Sequence, residues 1–353
     1  MRSRFARRRN VIITLAASIA LAAGAVVLIG KFASYTRLLD NIRDADWRWL
    51  PVCALGEVLA YLGYIVAYRD IARVDGGPDL PYRTVGGVVA TSFGAFVVTS
   101  AGGPAVDFWA LTRAGLGRND AVTRVLALNT LKFGVLGAAA AVSAAVVLLG
   151  AGEAPLYFTL PWLVVVPVCV ALALFLTGPG RGSRFARAPE DHEHAQCGLR
   201  GFEHCVRYLI REGLHDAVKG VVYVRHVIAA PVRYAGGAWG YPLYWAGDVL
   251  CLWGGLRAFG AHIGIAAIVL AYATGYVATS LPLPAGGAGG VEAAMTYALH
   301  AVGVPLAPAL LGVAVYRLVN FWLPILPATA VLPALRRIDA QLRAAGRPEP
   351  APA

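Results

Sequence analysis

The chain has 353 residues, 58% of them hydrophobic and 14% charged, with a mean hydropathy of +0.62 and a formal net charge of +11. A soluble chain of this size carries about a quarter charged residues, so the composition excludes an ordinary soluble domain and points to an integral membrane protein. The cationic residues lie mainly between apolar runs, the pattern of cytoplasmic loops and not the basic stripe of a nucleic-acid binder, so no nucleic acid partner is expected. The cysteines (Cys53, Cys169, Cys197, Cys205, Cys251) form no CxxC pair and imply no disulfide framework.

In chain order, the N-terminus MRSRFARRRN carries five arginines and precedes the apolar run Val11–Gly30. About 20 apolar residues suffice to cross the hydrocarbon core, which favours an uncleaved first span over a signal peptide. Trp47 and Trp49 suit an interface ahead of a second span over Leu50–Ala72, which carries Glu57. The run Thr84–Ser100 is interrupted by Ala101–Pro104, and the piece beyond the break is too short to span, so it reads as the returning arm of a re-entrant hairpin. Spans are expected over Val125–Gly150 and Leu156–Thr177. Residues 178–233 form a basic cytoplasmic loop with nine Lys and Arg residues and, from Phe202 to Ala229, an amphipathic pattern suited to a helix at the membrane surface. A span over Ala235–Phe259 contains Asp248, Gly264–Leu281 leads into a second broken hairpin, and Leu306–Pro333 is the last span. The tail, residues 336–353, is basic and then proline-rich, and is expected to be disordered.

The two halves resemble one another. Gly56-Glu57-Val58-Leu59 returns as Gly247-Asp248-Val249-Leu250, and Ala101-Gly102-Gly103 returns as Ala285-Gly286-Gly287. Asp107 precedes Lys132 by 25 residues, as Glu292 precedes Arg317. Each half also has an Asn and a cation at i, i+3, Asn129 with Lys132 and Arg317 with Asn320, a spacing that shares a helix face. Residues 1–150 and 151–335 are therefore expected to form two membrane repeats. With three crossings each they would insert with opposite orientation, an inverted-topology plan common in transporters. The expected fold is an all-α polytopic membrane protein of about six full spans plus two re-entrant hairpins, with both termini cytoplasmic. The alternative makes every hairpin arm a crossing, giving eight spans.

Broken backbone at membrane depth is tolerated only where it is buried in protein or lines a polar cavity. The glycine-rich tips, Gly102 and Gly103 in one half and Gly286, Gly287, Gly289 and Gly290 in the other, allow close backbone approach. A helix starting after each tip would present free N–H groups that attract an anion, and Pro104 fits a first helical position. The plainer reading is close helix packing by small residues. Asp107, Asn129, Lys132, Glu292, Arg317 and Asn320 complete the expected lipid pathway, because ionisable groups within spans are functional by default. Their plainer reading is first-turn dipole partners or structural ion pairs. Glu57 and Asp248 are secondary candidates. No catalytic residue, cofactor or metal is expected: Asp191, His192, Glu193, His194, Cys197, His204 and Cys205 fit no zinc spacing, and neither a P-loop nor a nucleophile elbow occurs.

The segment LPLPAGGAGGVEAAMTYALHAVGVPLAPALLGVAVYRLVNFWLPIL carries proline and glycine ahead of Gly289-Gly290-Val291-Glu292, then Gly303-Val304 and Tyr316-Arg317 before an aromatic-proline run. It resembles the flippase-type transmembrane region of the lysylphosphatidylglycerol synthase family. SAGGPAVDFWALTRAGLG is similar to the family's upstream hairpin, with Asp107 and Trp109 departing from it. The resemblance covers most of residues 10–335 and is most specific over Pro284–Pro324. It implies a multi-pass protein of the bacterial inner membrane in lipid or envelope metabolism. Bifunctional family members add an aminoacyl-transferase domain, for which a chain ending at Ala353 is expected to have no room, so lysyl transfer by this chain alone is not expected. The expected function is an ATP-independent lipid flippase or transporter holding a phosphate-bearing, anionic headgroup through Lys132 and Arg317, with Asp107 and Glu292 tuning the site or carrying protons. The alternative is an accessory subunit or transferase of lipid or glycolipid synthesis, with envelope or lipid-synthesis enzymes as partners.

Overall fold

Two long helices cross at the centre of the molecule through glycine contacts, and the other elements are placed around them. The structure, a computed structural model, describes residues 35–99, 101–152, 154–178, 218–280 and 288–346. The helices are α1 (Tyr35–Arg43), α2 (Leu50–Arg73), α3 (Tyr82–Val98), α4 (Gly102–Arg113), α5 (Arg118–Val146), α6 (Leu156–Leu176), α7 (218–229), α8 (Ala235–Ala258), α9 (Ile265–Tyr276), α10 (Gly290–Ala301), α11 (Leu306–Arg317), α12 (Ile325–Val331) and α13 (Leu335–Ala345). No strand occurs among the described residues. The expected first span, the Cys/His loop segment, and Gly286 and Gly287 lie outside the described residues.

The central pair is α2 against α8, running antiparallel. A methyl group added at Gly56 would stand 2.5 Å from the carbonyl oxygen of Gly247, and Gly247 meets the Gly56 carbonyl in turn. Seven residues along, Gly63 and Gly240 oppose each other's carbonyls, and seven the other way Gly254 lies against the Trp49 carbonyl and Cys53. Small residues at two-turn spacing thus bring the backbones into direct contact, where dispersion replaces the hydrophobic drive that is missing in lipid. This contact also sets Glu57 beside Asp248, since each follows its crossing glycine by one residue.

The chain breaks where the sequence places the breaks. Helix α4 folds back on α3: Gly102 abuts the Ala95 carbonyl, and the Ser92 hydroxyl donates to the Gly103 carbonyl at 3.1 Å. Helix α10 folds back on α9 in the same way, with no room for a side chain at Gly275 against Met295. Pro104 occupies the third helical position of α4, not the first, which still lies in the turn whose N–H groups lack intrahelical partners. Helices α4 and α10 each have 12 residues. Gly102 and Gly290 begin them, Gly115 and Gly303 follow them with φ of +90° and +97°, and Arg118 and Leu306 begin the next helices, every pair 188 residues apart. In this register Asn129 matches Arg317 and Lys132 matches Asn320. Matching the two acids instead sets the sequence register three residues away.

The chain is an all-α polytopic membrane protein. Four stretches among the described residues are long and apolar enough to cross a bilayer: Trp47–Gly76, Arg118–Gly150, Leu156–Leu176 and Leu306–Ala345. The last includes a π turn, Leu318–Trp322, between α11 and α12. Helix α8 has 24 residues, but its six glycines and five Trp and Tyr residues lower its apolarity, and its sides are covered by α2, α9 and α11. Helix α6 is the converse, intensely apolar and bare on nearly every side, as lipid contact requires. The tail departs from expectation: Leu335–Ala345 is helical, not disordered, because Ile338 and Leu342 at i, i+4 bury an apolar stripe within the charged run. The Thr84 hydroxyl donates to Gln341 at 2.9 Å, and Arg113 pairs with Asp339 at 3.4 Å, holding the helix to α3 and α4. Within the expected surface helix over Phe202–Ala229, residues 218–229 are helical and bury Val218, Tyr223 and Val227, and residues 202–217 lie outside the described residues.

Substituting Gly56 or Gly247 by Leu should abolish the folded state, because the blocking atoms are backbone. Gly86→Ala, which meets nothing closer than an Ile65 methyl at 3.7 Å, should stay within about 1 kcal/mol of the parent. Thermal unfolding in detergent, followed by tryptophan fluorescence, measures both.

Candidate functional site

Arg317 ends α11 with its side chain buried at the centre of the bundle. Its Nε donates to Glu292 Oε1 at 2.9 Å, both side chains being about 95% buried (4% and 5% exposed). Glu292 occupies the third position of α10, from which Oε2 accepts the Gly289 N–H at 2.6 Å. Gly289 takes φ +83°, a left-handed conformation that favours glycine. Both oxygens of the acid are therefore engaged, and the N-cap amide of α10 is taken internally. The Arg317 guanidinium lies 4.0 Å over the Phe321 ring, and its Nη2 is buried with no partner.

Lys132 is held differently. Its ammonium sits 5.1 Å from the ring centroid of Tyr244, 5.6 Å from Trp245, 5.8 Å from Phe133 and 5.9 Å from Tyr64. It forms no ion pair among the described residues. Cation–π contacts contribute about 0.5–2 kcal/mol each and offset part of the cost of burying an ammonium, and Lys132 also lines the cavity beside it. The Trp245 indole donates to the Lys132 carbonyl at 2.7 Å and fixes this part of α5 against α8.

The hydrogen bonds of the nearby acids go to tyrosines and an amide, not to that lysine. Asp107, 1% exposed, accepts the Tyr64 hydroxyl on Oδ2 at 2.9 Å, its carbonyl accepts the Tyr68 hydroxyl at 3.2 Å, and Oδ1 has no partner. Glu57 and Asp248 converge on one amide: Asn320 Nδ2 donates to Asp248 Oδ1 at 2.6 Å and to Glu57 Oε2 at 3.2 Å. Asp248 Oδ2 also accepts the Tyr272 hydroxyl at 2.7 Å, and Tyr272 and Tyr316 join their hydroxyls at 3.1 Å. Glu57 Oε1 is buried with no partner.

A cavity of about 270 Å³ lies among these groups. Gly103, Asn129, Lys132, Arg317 and Asn320 line it, with Tyr64, Phe93, Phe321 and Tyr276 among its aromatic walls. Five of the expected pathway residues thus share one chamber. Asp107, Glu292, Glu57 and Asp248 stand behind its wall, Gly102 is spent on packing against Ala95, and Gly289 and Gly290 do not line it. Sequence reading missed the tyrosines. Their signal is helical spacing from the acids: Glu57, Tyr61, Tyr64 and Tyr68 share one face of α2, as Tyr241, Tyr244 and Asp248 do on α8.

A family model described as lysylphosphatidylglycerol synthase TM region matches residues 15–328. The chain belongs to this family. Comparison with curated proteins gives no match. Membership in the lysylphosphatidylglycerol synthase TM family places the chain among membrane proteins of lipid metabolism. In this family member the Gly289–Glu292 turn and Tyr316-Arg317 come together as one buried unit, with the acid of the first held by the cation of the second.

Glu292→Gln should lower stability by about 3–5 kcal/mol, since it leaves Arg317 as an unmatched buried charge. Adding Arg317→Met to that variant should recover most of the loss. A double-mutant cycle on thermal unfolding gives the coupling directly.

Proposed function

We propose that this chain is an ATP-independent lipid flippase or lipid transporter that receives a phosphate-bearing headgroup in the central cavity. The carrying observation is the pair of cations that line the cavity with binding capacity to spare: Lys132 has no carboxylate partner among the described residues, and Arg317 keeps a buried Nη2 without one. Arg supplies planar donors and Lys a point charge, the two common means of holding phosphate. Aromatic walls suit the glycerol and upper acyl portion of a lipid, while the polar groups compensate the headgroup for lost water.

The reciprocal glycine contacts of α2 and α8, and the matched hairpins α3–α4 and α9–α10, support reading the chain as two inverted repeats. On this reading residues 1–150 and 151–335 are the repeats, and the hairpins are re-entrant. Such a plan places the cavity near the bilayer midplane and provides for alternating access by rocking of one half against the other. Its setting would be the bacterial inner membrane with both termini cytoplasmic.

Reconstitution into liposomes with fluorescent phosphatidylglycerol and phosphatidylethanolamine tests the proposal. Transbilayer movement should exceed that of protein-free vesicles without ATP. Lys132→Met should slow it about 10- to 100-fold, the equivalent of one charge-assisted hydrogen bond of about 1.5–3 kcal/mol. Rates equal to protein-free vesicles for both lipids would overturn the proposal. Lipid product formed in detergent and lost in a folded Asp107→Asn variant would point to synthesis instead.

A further inference from the structure

Counting charges around the cavity leaves an imbalance. Arg317 and Glu292 neutralise one another at 2.9 Å. Among the described residues, what remains is Asp107, Glu57 and Asp248, all buried, and Lys132 as the cation that acts on both Asp107 and Asp248. Among the described residues, the groups that face the Glu57–Asp248 pair are Tyr61 from α2, Tyr244 and Cys251 from α8, Tyr272 from α9, Tyr316 and Arg317 from α11, and Lys132 from α5. The tyrosines and the cysteine are neutral, and Arg317 is committed to Glu292. Ionised carboxylates buried without matching positive charge are too costly to persist, and two acids sharing one partner do not both keep their charge.

The coordination set narrows what supplies the missing positive charge. Hard metal cations require about six oxygen ligands. Here Asn320 and Tyr272 turn donor hydrogens toward the carboxylates, so they oppose a metal ion and suit a carboxyl pair. Glu57 is 7% exposed, and its Oε1 has no hydrogen-bond partner, which leaves one buried oxygen for a proton.

We propose that the Glu57–Asp248 pair forms a proton-binding site that takes up one proton, with Glu57 Oε1 as the free oxygen, and is linked to the cavity through Asn320. Asn320 is the connecting group because it lines the cavity and donates to both carboxylates. The linkage, though not the proton site itself, rests on the lipid-binding reading above. An anionic headgroup that engages Lys132 removes the counter-charge from the acids, so anion entry and protonation favour one another. By reciprocity the protonated pair binds the anion more tightly. The pair thereby offers a pH gradient as an energy source for movement that does not use ATP.

Infrared spectroscopy of the full-length protein in phosphatidylcholine nanodiscs at neutral pH tests the site without any substrate. A protonated-carboxyl stretch should be present in the wild type, retained in Asp107→Asn, and lost in both Glu57→Gln and Asp248→Asn. Its absence from the wild type, or its survival in either Glu57→Gln or Asp248→Asn, overturns the proton site. If one of these variants does not fold, the wild type and the other still decide. The second arm is phosphatidylglycerol movement in proteoliposomes under an imposed pH gradient, which should bias the direction of movement at least several-fold in wild type and not in Glu57→Gln. Movement indifferent to the gradient overturns the linkage alone. No movement above protein-free vesicles overturns the lipid reading, while the carboxyl band would still support the proton site.

Discussion

The backbone contact between α2 and α8 is the constraint on which the rest of the structure depends. Gly56 and Gly247 bring two peptide backbones together with no side chain between them. The acids that follow these glycines are then forced onto one site, where a single amide from Asn320 serves both. Larger residues would hold the helices several ångströms apart, and Asn320 could not reach both carboxylates. Close packing and chemistry share their residues here: the feature that lets the helices associate in lipid also creates the local excess of negative charge.

The membrane environment explains an apparent inversion of the usual hydropathy rule. In water the most apolar segment is the most buried. Here α8, dense with glycine, tryptophan and tyrosine, is enclosed, while α6, built mainly from leucine, valine and aromatic residues, is bare. Lipid tails solvate valine and leucine well, so such residues need no protein cover. Backbone approach, ring stacking and hydrogen bonds are what repay burial between helices. The aromatic assembly of Tyr64, Tyr244, Trp245, Tyr272 and Tyr276 uses that allowance to surround a cation and two acids with polarizable walls.

Much of the architecture was legible in the sequence because the membrane magnifies local signals. Where glycines and a proline fall together, as in Ala101–Pro104 and ahead of Gly290, a new helix starts close by, whereas Gly236-Gly237 and Pro242 lie inside unbroken α8. The family relationship was likewise readable from the segment around Glu292 and Arg317, whose 25-residue separation proves to be a direct contact. The partners of the other acids were not legible. Asp107 lies 25 residues before Lys132, as Glu292 does before Arg317, yet its carboxylate goes to Tyr64, on a helix nearer the N-terminus. Equal spacing hid unequal register: by helix boundaries, Lys132 corresponds to Asn320 and Asn129 to Arg317, so the cation and the amide have exchanged places. The convergence of Glu57, Asp248 and Asn320 spans 263 residues and depends on how three helices cross, which no local pattern records.

The π turn at Leu318–Trp322 has a consequence for helical phase. A π turn takes up one residue more than an α turn, and one residue corresponds to about 100° of rotation around the axis. Everything after Trp322 is therefore turned relative to α11. With that rotation, Ala328 faces Gly94 of α3, where only a small side chain fits, and Val331 and Ile338 reach Gly87. Removing the additional residue would leave a helix of nearly the same length and composition that offers the wrong side to α3. The C-terminal half of this stretch is thus specified by angle as much as by sequence. The residue that sets the angle lies in the same turn as Asn320, so the amide that joins the two acids and the orientation of the final helices are determined by one local distortion.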